Sequence, residues 1–172
     1  ESEYTEQLRY LAAGLGLEGV VRFVGLVDET SLHQLYADAV AYVYPAPEED
    51  FGMGIVEAMA AGTPVIAWNR AGPTGTIVDG KTGYLVAPYD TDEFAEKILV
   101  LATDREQNRT MGLAAHRHAA ERFSYAHHNE LISSTLKALV AERRVGVSVF
   151  PEATPTFAHA ELEAQLVEAD RR

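Results

Sequence analysis

Residues 44–66, YPAPEEDFGMGIVEAMAAGTPVI, constrain this chain more than any other stretch. The apolar run AVAYVY ends at Tyr44 and meets Pro45 and Pro47, an acidic pair and a glycine-spaced turn. A helix of small residues follows, and a second apolar run, PVIAW, begins after Gly62. Strand, loop, helix and strand within about thirty residues form the pattern of a βαβ unit with a parallel sheet. The loop falls at the carboxyl end of a strand, where open α/β sheets dock their ligands. Glu49 lies in that loop and Glu57 lies one turn inside the helix, so two carboxylates flank one helix N-terminus. Unpaired backbone N–H groups and the helix dipole favour an anion at that point. An anion between two carboxylates implies a ligand with phosphate in the middle and hydroxyl-rich groups at both ends. A nucleotide-sugar meets that description.

Composition narrows the remaining classes. The 172 residues, 47% of them hydrophobic, suffice for one sizeable core, expected over residues 1–144. The absence of cysteine excludes disulfides and thiolate metal sites. No apolar stretch approaches the length of a transmembrane helix and no signal peptide is visible, which points to a soluble, cytoplasmic protein. The net charge of −12, from 14 basic and 26 acidic side chains, excludes nucleic-acid binding through basic clusters. The acidity reads as solubility rather than as a functional field.

Apolar spacing in 3–13 predicts a first helix, ended by Gly14 and Gly16. VVRFVG (20–25) reads as a short strand. Asp28 caps a helix to Asp38 with Leu32, Leu35 and Tyr36 facing inward. Beyond PVIAW, residues 69–83 are dense in Gly, Pro, Asn and Asp and read as turns. TGYLVA (82–87) is a further strand. Asp90 with Glu93, Asp104 with Gln107, and Ser124 mark the starts of three consecutive helices reaching about residues 102, 123 and 144. Leu131, Thr135, Leu136 and Leu139 form an apolar face on the last of them. Residues 145–172 read as a linker, VGVSVFPEATPTFA, followed by HAELEAQLVEADRR, which reads either as a terminal helix with i,i+4 charge pairs or as a disordered end.

EEDFGMGIVEAMAAGTPVIA resembles the E-x7-E stretch of retaining nucleotide-sugar glycosyltransferases of the GT-B fold, the family 4 class. AGPTGTIVDGKTGYLV, a Pro-x-Asp segment (Pro88, Asp90) and MGLAAHRHAAERFSY continue the likeness in order, so that it covers roughly residues 4 to 142. Within the class, FGMGIVEAMAAG and MGLAA…RFS are most similar to mannosyltransferases that extend lipid-linked oligosaccharides. The fold so implied is the C-terminal half of a GT-B protein, a Rossmann-like parallel sheet flanked by helices, truncated at its N-terminal side. The family's preceding strands, absent here, carry a basic pair that grips the donor diphosphate. The implied partners are a nucleotide-sugar donor, GDP-mannose by the subclass likeness, and a glycan or lipid-linked acceptor. The missing N-terminal domain would bring the acceptor and any peripheral membrane contact. No metal and no cofactor are implied, and the isolated chain is expected to be inactive.

The resemblance assigns roles residue by residue. Glu49, the catalytic candidate, would accept hydrogen bonds from the donor sugar, against the rival reading of a solvated acidic turn with Glu48 and Asp50. Glu57 would bind ribose hydroxyls; it is expected in a largely buried helix, where a carboxylate needs partners. Its rival reading is an exposed surface glutamate. Phe51, Gly52, Met53 and Gly54 bring backbone N–H groups to sugar and diphosphate, glycine allowing close approach. Gly54 departs from the apolar residue often found there, which is expected to loosen the helix start. Arg70 would steady phosphate, with an exposed salt bridge as its rival. Gly75 stands where the family places a glutamate, leaving that contact missing or supplied by a neighbour such as Asp79. His33, His116, His118, His127, His128 and His159 do not pair at i,i+4 and read as surface, not metal ligands. Met111, Leu113, Phe123 and Trp68 read as core. Two other functions stay open: a synthase or phosphorylase of the same fold using glucose donors, and a non-catalytic scaffold derived from a transferase.

Overall fold

A computed structural model describes residues 3–144 as α1 (Glu3–Gly14), α2 (Glu29–Asp38), β1 (Tyr42–Tyr44), α3 (Met53–Ala60), β2 (Val65–Trp68), α4 (Pro73–Thr76), β3 (Gly83–Val86), α5 (Thr91–Thr103), α6 (Arg105–Phe123) and α7 (Tyr125–Arg144). The linker and terminal helix expected over 145–172 lie outside these residues. The chain divides into two compact units between Ala120 and Glu121, within α6.

The first unit holds a parallel sheet of order β1-β2-β3, with Tyr42 opposite Val65 and Val65 opposite Gly83. All four residues of β2 are buried. Successive strand side chains point to opposite faces, so β2 divides its residues between two cores. Val65 and Ala67 join Tyr36, Ile55, Ala58, Met59, Ile77, Ala115 and Ala119 on one side. Ile66 and Trp68 join Val86, Phe94, Leu101 and Met111 on the other. A strand buried on both faces reads as an unbroken apolar run, which is why PVIAW was legible.

The helix starts follow their caps. Asp28 accepts from the Ser31 amide at 2.9 Å, Asp90 from Glu93 at 3.0 Å and Asp104 from Gln107 at 2.9 Å. Each satisfies an amide that has no intrahelical partner. Ser124 accepts from His127 N–H at 3.3 Å in the second unit. The Gln107 side chain donates to the Tyr84 hydroxyl at 2.7 Å.

Five expectations are corrected. Residues 20–25 form no strand of the sheet; Val21 makes only an isolated bridge with Glu18, and Val20 and Val24 are exposed. An extended run becomes a strand only by pairing with a neighbour, and none of the described residues offers one. Leu35 and Leu113 are 40% and 51% exposed, because Tyr36 on α2 and Met111, Ala115 and Ala119 on α6 face the core instead. The turn-rich segment contains a short helix, α4, opened by Pro73. Phe123 is only partly buried. On α7 the predicted apolar face is exposed: Leu131, Leu136 and Leu139 keep 44–57% of their surface.

Ile66→Ala, at a fully buried site in the central strand, should cost about 2–4 kcal/mol. Urea unfolding followed through Trp68, the chain's one tryptophan, measures it; Trp68 stacks edge-on against Phe94 at 4.6 Å in the same core.

Candidate donor-binding site

The site is built on the connection from β1 to α3. Gly52 is the N-cap of α3 at φ 82, a left-handed conformation that glycine adopts without strain. A Cβ there would also stand 2.7 Å from the Ile55 side chain. The connection meets the loop after β2 without a gap. Gly72 donates its N–H to the Glu49 carbonyl at 2.7 Å, and a Cβ on Gly72 would sit 2.6 Å from Glu49 O and Phe51 N. The two strand-exit loops therefore move as one surface. Between them lies a cleft of about 340 Å³ lined by Asp50, Phe51, Ala71, Gly72, Thr74, Gly75 and Thr76.

Glu49 is held by three donors. Its Oε1 accepts from the amides of Phe51 at 3.3 Å and Gly52 at 3.2 Å, and its Oε2 from the Tyr44 hydroxyl at 2.7 Å. The Tyr44 bond first, then the two amides, hold the Glu49 carboxyl below its ordinary range. The same bond pushes the Tyr44 phenol up to about 12, because ionising it would remove the donor and set two negative charges together. Two of the amides expected to meet ligand are thus already engaged. For the N–H groups of Met53 and Gly54, the next two along α3, the described residues offer no hydrogen-bond partner.

Glu57 is exposed, not buried as the sequence suggested. Ile55, Ala58 and Met59 turn inward from α3, and position 57 falls on the outward face. Its Oε2 accepts from Tyr36 Oη at 3.2 Å. Burial, and then the neighbouring Tyr42 and Glu57, push the Tyr36 phenol above its ordinary value. Tyr42 is likewise raised, by burial first.

Gly54 has a physical reason that sequence reading missed. A Cβ on it would stand 2.7 Å from Tyr42 Oη and 3.4 Å from Tyr36 Oη. The glycine admits the tyrosine hydroxyls beneath the helix start rather than merely loosening it. Three tyrosines, at positions 36, 42 and 44, were not singled out for the site; the spacing of Tyr42 and Tyr44, which puts both on one face of β1, was the available signal.

Arg70 lies outside the cleft lining, its guanidinium paired with Glu48 at 2.6 Å on the surface. Gly75 borders open space. Asp79, the neighbour offered in place of the family's glutamate, accepts from Leu85 N–H through Oδ1 at 2.9 Å. His116 meets the Ala60 carbonyl at 2.7 Å. Among the described residues no group of three or more His, Cys, Asp or Glu side chains could hold a metal ion, and no helix is long and apolar enough to cross a membrane.

A Rossmann-like sheet with paired acidic residues at the start of a ligand-facing helix defines the C-terminal domain of GT-B glycosyltransferases. The chain belongs to the glycosyl transferases group 1 family, whose model matches residues 1–118. It is 39% identical over 117 residues to the D-inositol 3-phosphate glycosyltransferase of Kribbella flavida, a match covering 68% of this chain and 28% of that protein. It is 33% identical over 137 residues to the alpha-1,3/1,6-mannosyltransferase ALG2 of Dictyostelium discoideum, covering 80% and 32%. Among solved structures, Anabaena HepE in complex with UDP-glucose superposes with a TM-score of 0.71 at 32% identity, over 80% of this chain and 38% of that one. The chain thus spans about a third or less of the length of these curated relatives.

Gly54→Ala should destabilise the unaltered chain by about 1–2 kcal/mol through overpacking against Tyr42. With Tyr42→Phe in place the same change should be neutral or stabilising by up to about 1 kcal/mol, as helix propensity dictates. A double-mutant cycle by chemical denaturation reads the difference.

A carboxyl held below its ordinary value stabilises the fold above that value, and the contribution is lost as pH falls through the lowered one. Glu49→Gln should therefore lower the Tm at neutral pH, and the gap to the parent should close as pH drops below 4.5.

Proposed function

We propose that this chain is the donor-binding domain of a retaining glycosyltransferase that takes mannose from GDP-mannose. One observation carries the reading: Glu49 and Glu57 stand on either side of the α3 N-terminus, with the unpartnered amides of Met53 and Gly54 between them. Those amides, with the helix dipole, would meet the diphosphate and stabilise charge as it develops on the leaving group. Glu57 would accept hydrogen bonds from the ribose. The free lone pair on Glu49 would take a hydroxyl of the sugar.

Membership of the group 1 family and the likeness to the mannosyltransferase support mannose as the transferred sugar. The likeness to HepE, whose complex holds UDP-glucose, favours a second reading with a glucose donor. In both, the acceptor is a glycan, a lipid-linked sugar or a small molecule, bound by sequence that the relatives carry outside the matched stretch. The cleft lining carries no cation, and Arg70 is committed to Glu48. A diphosphate needs more positive charge than two amides, so a basic group from an N-terminal domain would complete the site. The donor chemistry proposed here uses no metal. Retention would follow from attack by the acceptor on the face the leaving group departs.

Calorimetric titration of the whole protein with GDP, UDP, ADP and their sugar conjugates tests this. The expected outcome is preference for GDP-mannose, weakened at least tenfold by Glu57→Ala, since a carboxylate bonded to two hydroxyls contributes about 1.5–3 kcal/mol. Preference for UDP-glucose would move the protein to the second reading. Absence of nucleotide-sugar binding by the whole protein would sink both.

A further inference from the structure

Tyr36, Tyr42 and Tyr44 form a ladder beneath the start of α3. Tyr36 meets Tyr42 edge-on at 5.3 Å, and Tyr42 lies against Tyr44 at 5.9 Å with the rings tilted by 33°. Rings packed against one another lose rotamer freedom, so their hydroxyls are fixed in position. The ladder's two ends reach two different carboxylates. Tyr44 Oη is 2.7 Å from Glu49, and Tyr36 Oη is 3.2 Å from Glu57. The middle hydroxyl, on Tyr42, fills the space that Gly54 leaves open.

We propose that Tyr44 and Tyr36 are positioning residues of the donor site, each holding one carboxylate in the orientation in which it accepts ligand hydroxyls. The proposal rests on the reading of Glu49 and Glu57 given above, and adds to it how a half-buried and an exposed carboxylate are kept in place.

Lone-pair accounting supports the assignment. A carboxylate offers about four acceptor positions. Glu49 uses two on Oε1 for the Phe51 and Gly52 amides and one on Oε2 for Tyr44, which leaves a single direction open on Oε2. A ligand hydroxyl can therefore bind without displacing any protein donor, and only along one line. Glu57 has one bond, from Tyr36, and keeps Oε1 and part of Oε2 for a ligand. One acceptor position suits a single sugar hydroxyl; a nearly free carboxylate suits the paired hydroxyls of a ribose.

A structural role explains the rings but not the hydroxyls. Phenylalanine would stack as well at either end. A part-buried hydrogen bond adds only modestly to stability, and at each end of the ladder the acceptor is a carboxylate whose orientation the hydroxyl sets.

Tyr44→Phe keeps the stack and removes the bond to Glu49, and Tyr36→Phe keeps the stack and removes the bond to Glu57 together with the hydroxyl contact to Tyr42. In the whole protein, Tyr44→Phe should weaken binding of the nucleotide-sugar about three- to tenfold and leave the nucleoside diphosphate within about twofold. Tyr36→Phe should weaken both ligands by a similar factor, because ribose is common to them. Tyr44→Phe should lower the Tm by no more than Glu49→Gln does, since it removes one of the three bonds to that carboxylate, and both variants should unfold cooperatively. Carboxyl-carbon NMR on the same proteins should show the Glu49 pKa rising in Tyr44→Phe and unchanged in Tyr36→Phe. Binding by both variants that equals the parent would overturn the proposal while leaving the donor reading intact. Equal losses for both ligands in both variants, with a lowered Tm, would likewise overturn it in favour of a packing role. A parent protein that binds neither ligand would overturn the donor reading and the proposal together.

Discussion

The left-handed turn at Gly52 is the constraint on which the site depends. It lets the chain turn from the loop after β1 into the first residues of α3. Any residue with a Cβ would strain that backbone and meet Ile55, a fully buried member of the core. Core and site are therefore coupled at one residue. Ile55 fixes the depth of α3 against the sheet, and Gly52 fixes the angle at which it begins. The loop after β2 closes on the same turn through Gly72, so the cleft between the two loops has one rigid wall and one that follows it.

Electrostatics at the helix start is resolved internally. Four N–H groups at a helix N-terminus need acceptors, and a carboxylate is the best of those available. Glu49 supplies one to the Phe51 and Gly52 amides just ahead of the first turn, and Met53 and Gly54 remain unpartnered. Glu49 is thereby a capping group and, in the proposed reading, a ligand-facing group as well. The two roles are compatible because its charge is shared with donors on Oε1, while Oε2 faces outward beside Tyr44. In a chain of net charge −12, pairing the remaining acidic side chains limits repulsion at the helix start. Glu48 is neutralised in turn by Arg70 at the rim. Of the acidic run, Asp50 borders the cleft.

Much of this was legible in the sequence because it rests on local rules. The βαβ unit, the caps at Asp28, Asp90 and Asp104, and the doubly buried PVIAW strand follow from spacing and residue type alone. The misread parts depend on contacts between distant residues. VVRFVG has every property of a strand except a partner, and pairing is not encoded in the run itself. Leu35 lies next to Tyr36 on α2; periodicity admits both to an apolar face, and packing admits only the second. Glu57 sits beside Ala58 and Met59, and small apolar neighbours suggested burial. Helical geometry turns it by about 100° per residue from each, which is enough to carry it to the surface.

Gly54 shows the same limit from the other side. By itself it is a poor helix residue in the first turn of α3, costing about 1 kcal/mol relative to alanine. No local rule recovers that cost. The compensation comes from Tyr42 and Tyr36, twelve and eighteen positions earlier, whose hydroxyls occupy the space a side chain would have taken. A local defect that is repaid by a distant pair of polar groups, at the entrance to a ligand-facing helix, is the kind of inconsistency that marks a functional surface rather than a folding error. The tyrosines that require the glycine are also those whose neighbours contact Glu49 and Glu57. The weak start of α3 and the placement of its two carboxylates thus have a single cause.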